Sequence, residues 1–267
     1  MRRSLLSFMR MVKHESFRYF LDLLYEMTKK ELLARYKYTF FGFLWLILNP
    51  LLQMLVIGFV FRFFIREPIQ YYFHHLFIGL LVWNFFSLSL TKATPSIVYE
   101  RSLIKKSFFP REVIPLSIIL SNFFHLLMAF IFFLFAILFI GKLTLFGILI
   151  SIFSLTLLLV FTTGISLLTC SLNVRFRDVN FFVQAILVVW FYATPIMYSL
   201  NLIPVNLLWI WRFNPMTSIM QFLQFGFLDA PGPGIGMMIS NFAVIILVTY
   251  LGVSVFRRES KYFDDWI

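Results

Sequence analysis

The chain has 267 residues, of which 61% are hydrophobic and only 13% are charged, and its formal net charge is +11. A soluble domain carries about 25% charged residues, so this composition excludes an ordinary cytosolic enzyme, a disordered chain and a secreted disulfide scaffold. It indicates an integral membrane protein, in which the excess of basic residues marks the cytoplasmic ends of helices rather than a nucleic-acid interface.

The first 37 residues predict an amphipathic helix that lies on the inner membrane surface. Phe17, Leu24 and Met27 recur at helical spacing, whereas Asp22 and Glu26 fall on the other face. Basic side chains on such a helix reach the lipid headgroups, so simple anchoring to anionic lipid and contact with a specific ligand both fit the pattern. The basic residues that we expect there are Lys29, Lys30, Arg35 and Lys37.

Six long stretches without a charged residue follow this segment. A helix needs about 20 apolar residues to cross a bilayer core, and a charge at mid-membrane costs about 2.5–3.5 kcal/mol on insertion scales. Each stretch therefore predicts one membrane-spanning helix. The six stretches are residues 38–61, 68–91, 113–141, 143–174, 179–211 and 230–256.

A shorter uncharged stretch, residues 213–228, lies between the fifth and sixth predicted spans. It is too short to cross the membrane, so it predicts a re-entrant or interfacial helix, and an apolar external loop is the alternative. The Asn214-Pro215 pair suits the start of that helix, because proline is tolerated in a first helical turn.

The loops between the spans determine the orientation. With both termini in the cytoplasm, 19 of the 23 lysines and arginines fall on the inner side, as the positive-inside rule requires. We therefore predict an all-α, multi-pass membrane protein with one domain of six spans. Its parts are a cytoplasmic segment 1–37, a membrane domain 38–256 and a cytoplasmic tail 257–267.

Catalytic and metal-binding patterns are missing from the sequence. No P-loop motif occurs, so we expect no ATP site in this chain. His14, His74, His75 and His125 form no H-x-x-x-H pattern and join no carboxylate cluster, which makes a metal site improbable. His125 falls inside the third predicted span, where it either has a function or bonds to a neighbouring helix.

Two predicted spans carry polar and aromatic residues within otherwise apolar sequence. Trp45, Asn49 and Gln53 are each four residues apart and share one face of the first span. Aromatic faces suit the apolar faces of sugar rings, whereas hydrogen bonding between helices and packing at the membrane interface are the alternatives. The fifth span contributes Trp190, Tyr192 and Tyr198.

Arg175 and Arg177 lie in the inner loop before the fifth span. Arginine forms paired hydrogen bonds with phosphate oxygens, so these residues are candidates for a phosphate group. Fixing the topology of the neighbouring spans is an equally good interpretation.

Four segments together resemble the permease subunits of ABC-2 type polysaccharide exporters, the family of O-antigen, teichoic-acid and capsule exporters. They occur in the family's order and cover nearly the whole chain. The segments are RYKYTFFGFLW at 35–45, SLIKK at 102–106 with FPRE at 109–112, NVRFRDV at 173–179, and TPIMY at 194–198 with NPM at 214–216.

The resemblance implies a homodimer of this chain bound to two copies of an ABC ATPase subunit, which would hold ATP and Mg²⁺. The implied location is the bacterial inner (plasma) membrane, and the implied path lies between spans one and five. The implied substrate is a glycan on undecaprenyl diphosphate, for whose phosphates Arg175 and Arg177 are candidates. The ATPase would meet a coupling segment, residues 100–108, through Glu100, Arg101, Leu103, Ile104, Lys105, Lys106 and Phe108. An outer gate would involve Asn214, Pro215 and Gln224, the last in a stretch where many members have an arginine.

Two other functions compete with polysaccharide export. One is an ABC-2 permease for a small lipid, drug or lipo-oligosaccharide. The other is a polytopic membrane glycosyltransferase, which would need acidic or histidine-rich interfacial loops that the sequence lacks.

Overall fold

The computed structural model describes residues 2–37, 42–61, 69–106 and 108–267. Within these ranges the chain is helical and contains no strand, which confirms the predicted all-α class. The helices are α1 (Arg2–Tyr36), α2 (Trp45–Val60), α3 (Tyr72–Ala93), α4 (Ser96–Tyr99), α5 (Arg101–Lys106), α6 (Val113–Phe139), α7 (Leu145–Arg175), α8 (Asp178–Tyr192), α9 (Leu208–Arg212), α10 (Pro215–Phe227), α11 (Ile235–Glu259) and α12 (Phe263–Trp266). The motif residues 38–41 and the loop residues Arg62 and Arg66 lie outside the described ranges.

Four helices in the described ranges are long and apolar enough to cross a membrane, namely α3, α6, α7 and the helix that begins at Ile235. α2 and α8 are apolar but have only 16 and 15 residues. At 1.5 Å per residue they extend over about 24 Å and 22 Å, less than the ~30 Å hydrocarbon core.

The uncharged stretch 179–211 is not one continuous helix. α8 ends at Tyr192, and a bend through residues 194–198 leads to two short 3-10 turns and α9. Pro195 explains the break, because a proline has no N–H to donate and disfavours the helical conformation of the residue before it.

α3 lies at the centre of the helical bundle and packs against α2, α6, α7 and α8. Its middle is almost fully enclosed, with Leu76, Ile78 and Phe86 at 1% exposure or less. A helix that is apolar all round and surrounded by other helices is a core element, which positions the more exposed α2 and α8 on its flanks.

Glycines bring α7 into backbone contact with two neighbours. A Cβ atom added to Gly252 of α11 would lie 1.9 Å from the carbonyl oxygen of Gly164 in α7. At the other end of α7, a Cβ atom on Gly147 would lie 2.4 Å from the carbonyl oxygen of Gly226 in α10. Small residues allow such close approach between helices in membranes.

α10 begins where the sequence predicts. The Asn214 side chain accepts a hydrogen bond from the backbone N–H of Met216 at 3.1 Å, and Pro215 is the first helical residue. α10 has 13 residues and is mostly buried among the other helices. α11 runs to Glu259, whereas the domain boundaries at residues 37 and 256 stay predictions.

Candidate functional site

The polar residues of α2 face the neighbouring helix α3. The Gln53 side-chain oxygen accepts a hydrogen bond from the amide of Asn84 at 3.0 Å. Asn49 and Trp45 lie one and two turns earlier on α2 and are exposed in the single protomer. Asn84 was missed in the sequence, because a search for charged residues passes over an amide within an apolar span.

A cavity of about 310 Å³ lies between the end of α1 and helices α2, α3 and α6. Arg35, Trp45 and Asn49 line it, so the structure brings together three residues that the sequence placed in two separate groups. Asn84, Asn122 and His125 complete its polar wall. We call it the Arg35 cavity.

Arg35 is held in this cavity by side chains of α6. One guanidinium nitrogen donates to the Asn122 side-chain oxygen at 2.6 Å, and another contacts Nδ1 of His125. Asn122 in turn donates to the hydroxyl of Ser89 in α3 at 3.2 Å. The bond from His125 to a neighbouring helix is therefore present, with Arg35 of α1 as its partner. A positive guanidinium fixed beside a cavity favours an anionic ligand.

A second cavity, of about 570 Å³, opens between α2, α3 and α8, and we call it the α2–α8 groove. Gln53, Asn84 and Gln184 give it hydrogen-bonding groups, and Tyr192 gives it an aromatic face. Tyr192 is 64% exposed in the single protomer. The groove thus joins a predicted path residue of the first span to one of the fifth.

The other two aromatic residues predicted for the path lie elsewhere. The Trp190 ring packs against Phe86 and Phe161, with ring centroids 5.1 and 6.0 Å away. The Tyr198 hydroxyl donates to the backbone oxygen of Tyr192 at 2.7 Å. Tyr198 lines a separate cavity of about 470 Å³, beside Gln221 and Gln224.

Asn214 is a hydrogen-bonding centre at the start of α10. Its amide nitrogen donates to the Ala193 backbone oxygen at 3.0 Å and to the Thr194 hydroxyl at 3.1 Å. Its side-chain oxygen accepts from the Trp190 indole nitrogen at 2.9 Å. Of the residues predicted for a gate, Asn214 and Pro215 are buried and tie the break after α8 to α10.

Gln224, the third predicted gate residue, is also buried and lies 3.1 Å from Nε2 of His75 in α3. Asp229, which lines the same cavity as Gln224, forms an ion pair with Lys142. The hydrogen bond to the Asp229 carboxylate raises the pKa of Lys142, whose ammonium group also lies 5.8 Å from the ring of Tyr71.

The remaining predicted basic residues do not converge on the Arg35 cavity. Lys29 pairs with Glu26 at 3.7 Å, and Lys30 pairs with Glu100 at 3.1 Å. Arg175 stacks on the rings of Phe176 and Trp266. Lys37 and Arg177 are exposed.

The coupling segment is partly surface and partly core. Phe108 is completely exposed, and Arg101, Lys105 and Lys106 are exposed as well. Ile104 is only 4% exposed, because it packs inside the protein against Phe256 and Phe263. Leu103 is half-buried, and Glu100 pairs with Lys30. The surface available to a partner is therefore basic with one protruding phenyl ring.

In the part of the chain that the structure describes, no three His, Cys, Asp or Glu residues are placed to hold a metal ion together. The polar groups of the Arg35 cavity and the α2–α8 groove are amides, hydroxyls, an indole, an imidazole and a guanidinium, all of which form hydrogen bonds with a ligand.

Comparison with known proteins identifies the family of the chain. The profile of the ABC-2 type transporter family matches residues 22–228. The chain is similar to an O-antigen export system permease protein RfbA of Klebsiella pneumoniae, at 35% identity over 92% of this chain and 95% of the relative. A second such protein from that organism is 38% identical over 75% of this chain and 78% of the relative. The protein of that name from Myxococcus xanthus is 30% identical over 92% and 95% of the two chains.

Proposed function

The chain belongs to the ABC-2 type transporter family, and from that premise we propose that it is the permease subunit of an ATP-driven exporter of lipid-linked O-antigen. As the membrane subunit of a transporter, it provides a path and no catalytic site. The observation that carries the proposal is the α2–α8 groove, where amides and an aromatic ring line a space beside the central helix.

The chemistry of the groove suits a glycan. Stripping a hydroxyl of water without a replacement partner costs on the order of 1–3 kcal/mol, so a purely apolar bundle would oppose passage of a sugar chain. Gln53, Asn84 and Gln184 offer donors and acceptors, and Tyr192 offers an apolar face with a polar tip. Repeated weak contacts of this kind let a long chain bind and move on.

We further propose that two copies of this chain face each other across this groove. In the single protomer the groove is open on one side, and Asn49 and Tyr192 are exposed. Amides turned toward lipid are costly, so a membrane protein covers them with protein or a water-filled path. A second copy would close the groove into a path between two α2 and two α8 helices.

In this arrangement α2 and α8, with the residues that flank them, are the first and fifth of six spans. The coupling segment and the residues after α11 meet at one end of the bundle, and Lys142 lies at the far end of α6. Together with the uneven distribution of lysine and arginine, this supports an inner-membrane protein with both termini in the cytoplasm. α10 would then be a re-entrant helix at the outer face, and α1 would lie at the inner surface.

The Arg35 cavity suits the diphosphate of the lipid carrier. It lies at the end of α1 beside residues that fall inside the second and third predicted spans, and it adjoins the groove through Asn84, which lines both. Asn122 and His125 hold the Arg35 guanidinium in place, so a phosphate would find its donor already oriented. ATP and Mg²⁺ would be held by two ATPase subunits bound to the coupling segments.

The test is complementation in the native host after deletion of this gene. We expect the chain, supplied with its ATPase subunit, to restore O-antigen at the cell surface, measured by whole-cell antibody binding and by gel analysis of lipopolysaccharide. The matched control supplies an ATPase variant that binds ATP without hydrolysing it. Restoration of only a short lipo-oligosaccharide or of drug efflux would contradict the proposed substrate.

A further inference from the structure

The residues that follow α11 fold back onto the coupling end of the bundle. Arg111, in the loop between the coupling segment and α6, donates to the backbone oxygen of Ser260 at 2.8 Å. Its other terminal nitrogen pairs with the Asp264 carboxylate. The Arg111 side chain is only 16% exposed. The Asp264 carboxylate is 45% exposed, so the pair is shielded from water only on its guanidinium side, and the bond to Ser260 adds a second contact from the same side chain.

Below this ion pair, the 260–267 segment inserts an aromatic side chain into the protein. Phe263 is fully buried, and its ring meets Phe256 edge to face with centroids 5.4 Å apart. The same apolar cluster contains Ile97 of α4 and Ile104 of the coupling segment. The cluster also contains Leu167 and Val174 of α7. One phenyl ring therefore packs among α4, α5, α7 and α11.

A second aromatic contact holds the end of the 260–267 segment against α7. Trp266 stacks on Tyr262 with centroids 5.7 Å apart, and the Arg175 guanidinium lies 5.7 Å from the Trp266 ring. Arg175 is the last residue of α7. The 260–267 segment thus connects the coupling segment with the end of α7. It does so through ring stacking and a cation–π contact, whereas its contact with Arg111 is an ion pair.

We propose that the 260–267 segment is a positioning element for ATPase docking, which fixes the coupling segment and links its movement to α7 and α11. By sequence the coupling segment is joined only to α3 and α6, whereas these contacts attach it to the two other long helices. Phe108 and the basic residues Arg101, Lys105 and Lys106 stay exposed for a partner surface that is acidic around an apolar pocket. This inference rests on the proposed ATPase partner and assigns a role to residues outside the docking surface.

Two neighbouring aspartates provide a matched pair for the test. Asp264 and Asp265 are both exposed on the same short helix, α12, and Asp264 is the one that pairs with Arg111. The full-length permease in nanodiscs is titrated with its purified ATPase subunit, and amide hydrogen exchange is followed in residues 100–108. We expect Asp264→Asn to weaken ATPase binding about 2- to 30-fold and to speed exchange in the coupling segment. Asp265→Asn is expected to match the wild type in both measurements.

Reversing the ion pair separates positioning from general damage. Arg111→Asp also loses the bond to Ser260 and places two carboxylates together, so it is expected to exceed Asp264→Asn in both measurements. The double variant Arg111→Asp/Asp264→Arg restores the ion pair alone and is expected to recover part of the affinity and of the slow exchange. Phe263→Leu, which keeps an apolar side chain, should cause a smaller change than Phe263→Ala. Unchanged affinity and exchange in Asp264→Asn and Phe263→Ala would overturn the inference. If the variants change affinity and exchange as expected but the complementation experiment fails, O-antigen export is rejected and the positioning role stands.

Discussion

α7 and α2 are both built from apolar sequence, but they use their surfaces in opposite ways. α7 meets α11 and α10 through glycines whose backbones touch, so no side chain separates these helices. α2 packs against α3 but leaves an open groove toward α8, lined by amides and a tyrosine. The first kind of contact excludes everything but protein, and the second leaves room for a polar ligand. Stability and the proposed path therefore belong to different helix pairs.

The largest effect that this comparison predicts is at the glycine contact. We expect Gly252→Val to destabilise the fold by at least the 1–3 kcal/mol or so that overpacking costs, because the new side chain would meet the backbone of Gly164. The thermal midpoint of the purified protein, followed by size-exclusion chromatography, measures this. Gly236→Val in the same helix is the control, since a Cβ atom there meets nothing within 4 Å. Equal midpoints for the two variants would show that the glycine contact between α7 and α11 does not stabilise the fold.

A smaller effect, on transport alone, is expected in the groove. Tyr192→Ala should slow O-antigen export about three- to tenfold, which is the loss of one aromatic contact with a sugar. Folding should be nearly unchanged because the ring is 64% exposed. Tyr192→Phe should be milder. The rate at which O-antigen reaches the surface after induction measures the effect, and Tyr250→Ala, at 69% exposure on α11, is the control. A wild-type rate in Tyr192→Ala would make this tyrosine a packing residue.

The smallest effect concerns the hydrogen bond within the groove. A double-mutant cycle with Gln53→Ala and Asn84→Ala should give a coupling free energy of about 0.6 kcal/mol, the mean for such bonds in membranes. Denaturant unfolding in mixed micelles measures it. Asn84→Ala combined with Asn206→Ala, at a distant exposed position, should be additive. A coupling above about 2 kcal/mol would show that the groove is as rigid as the glycine contact.

Much of this arrangement could be predicted from the sequence because lipid imposes simple rules. Stretches without charged residues predict the apolar helices, and the Asn214-Pro215 pair predicts the start of α10. Helical spacing placed Trp45, Asn49 and Gln53 on one side of α2, and the structure adds that Asn84 joins their two cavities.

The remainder depends on contacts between residues far apart in the chain. Absence of charge shows where a helix fits in lipid but not where its backbone stops, so the break after Tyr192 was missed. Ile104 was assigned to a docking surface, yet it is buried by Phe256 and Phe263. Trp190 was assigned to the path, and its ring lies against Phe86 instead. No local pattern distinguishes an aromatic residue that packs inside the protein from one that lines a cavity.

The paired glycines of α7 and α11 also determine which parts of the protein are able to move. The residues beside Gly252 are Leu251 and Val253, and those one turn away are Val248 and Phe256, so turning α11 about its axis or sliding it by one turn would push a bulky side chain into Gly164. We therefore expect the two helices to keep a single register and to move together. We expect widening of the groove to come from α2 and α8 alone. The non-helical residues between Tyr192 and Pro195 are the natural hinge for that movement.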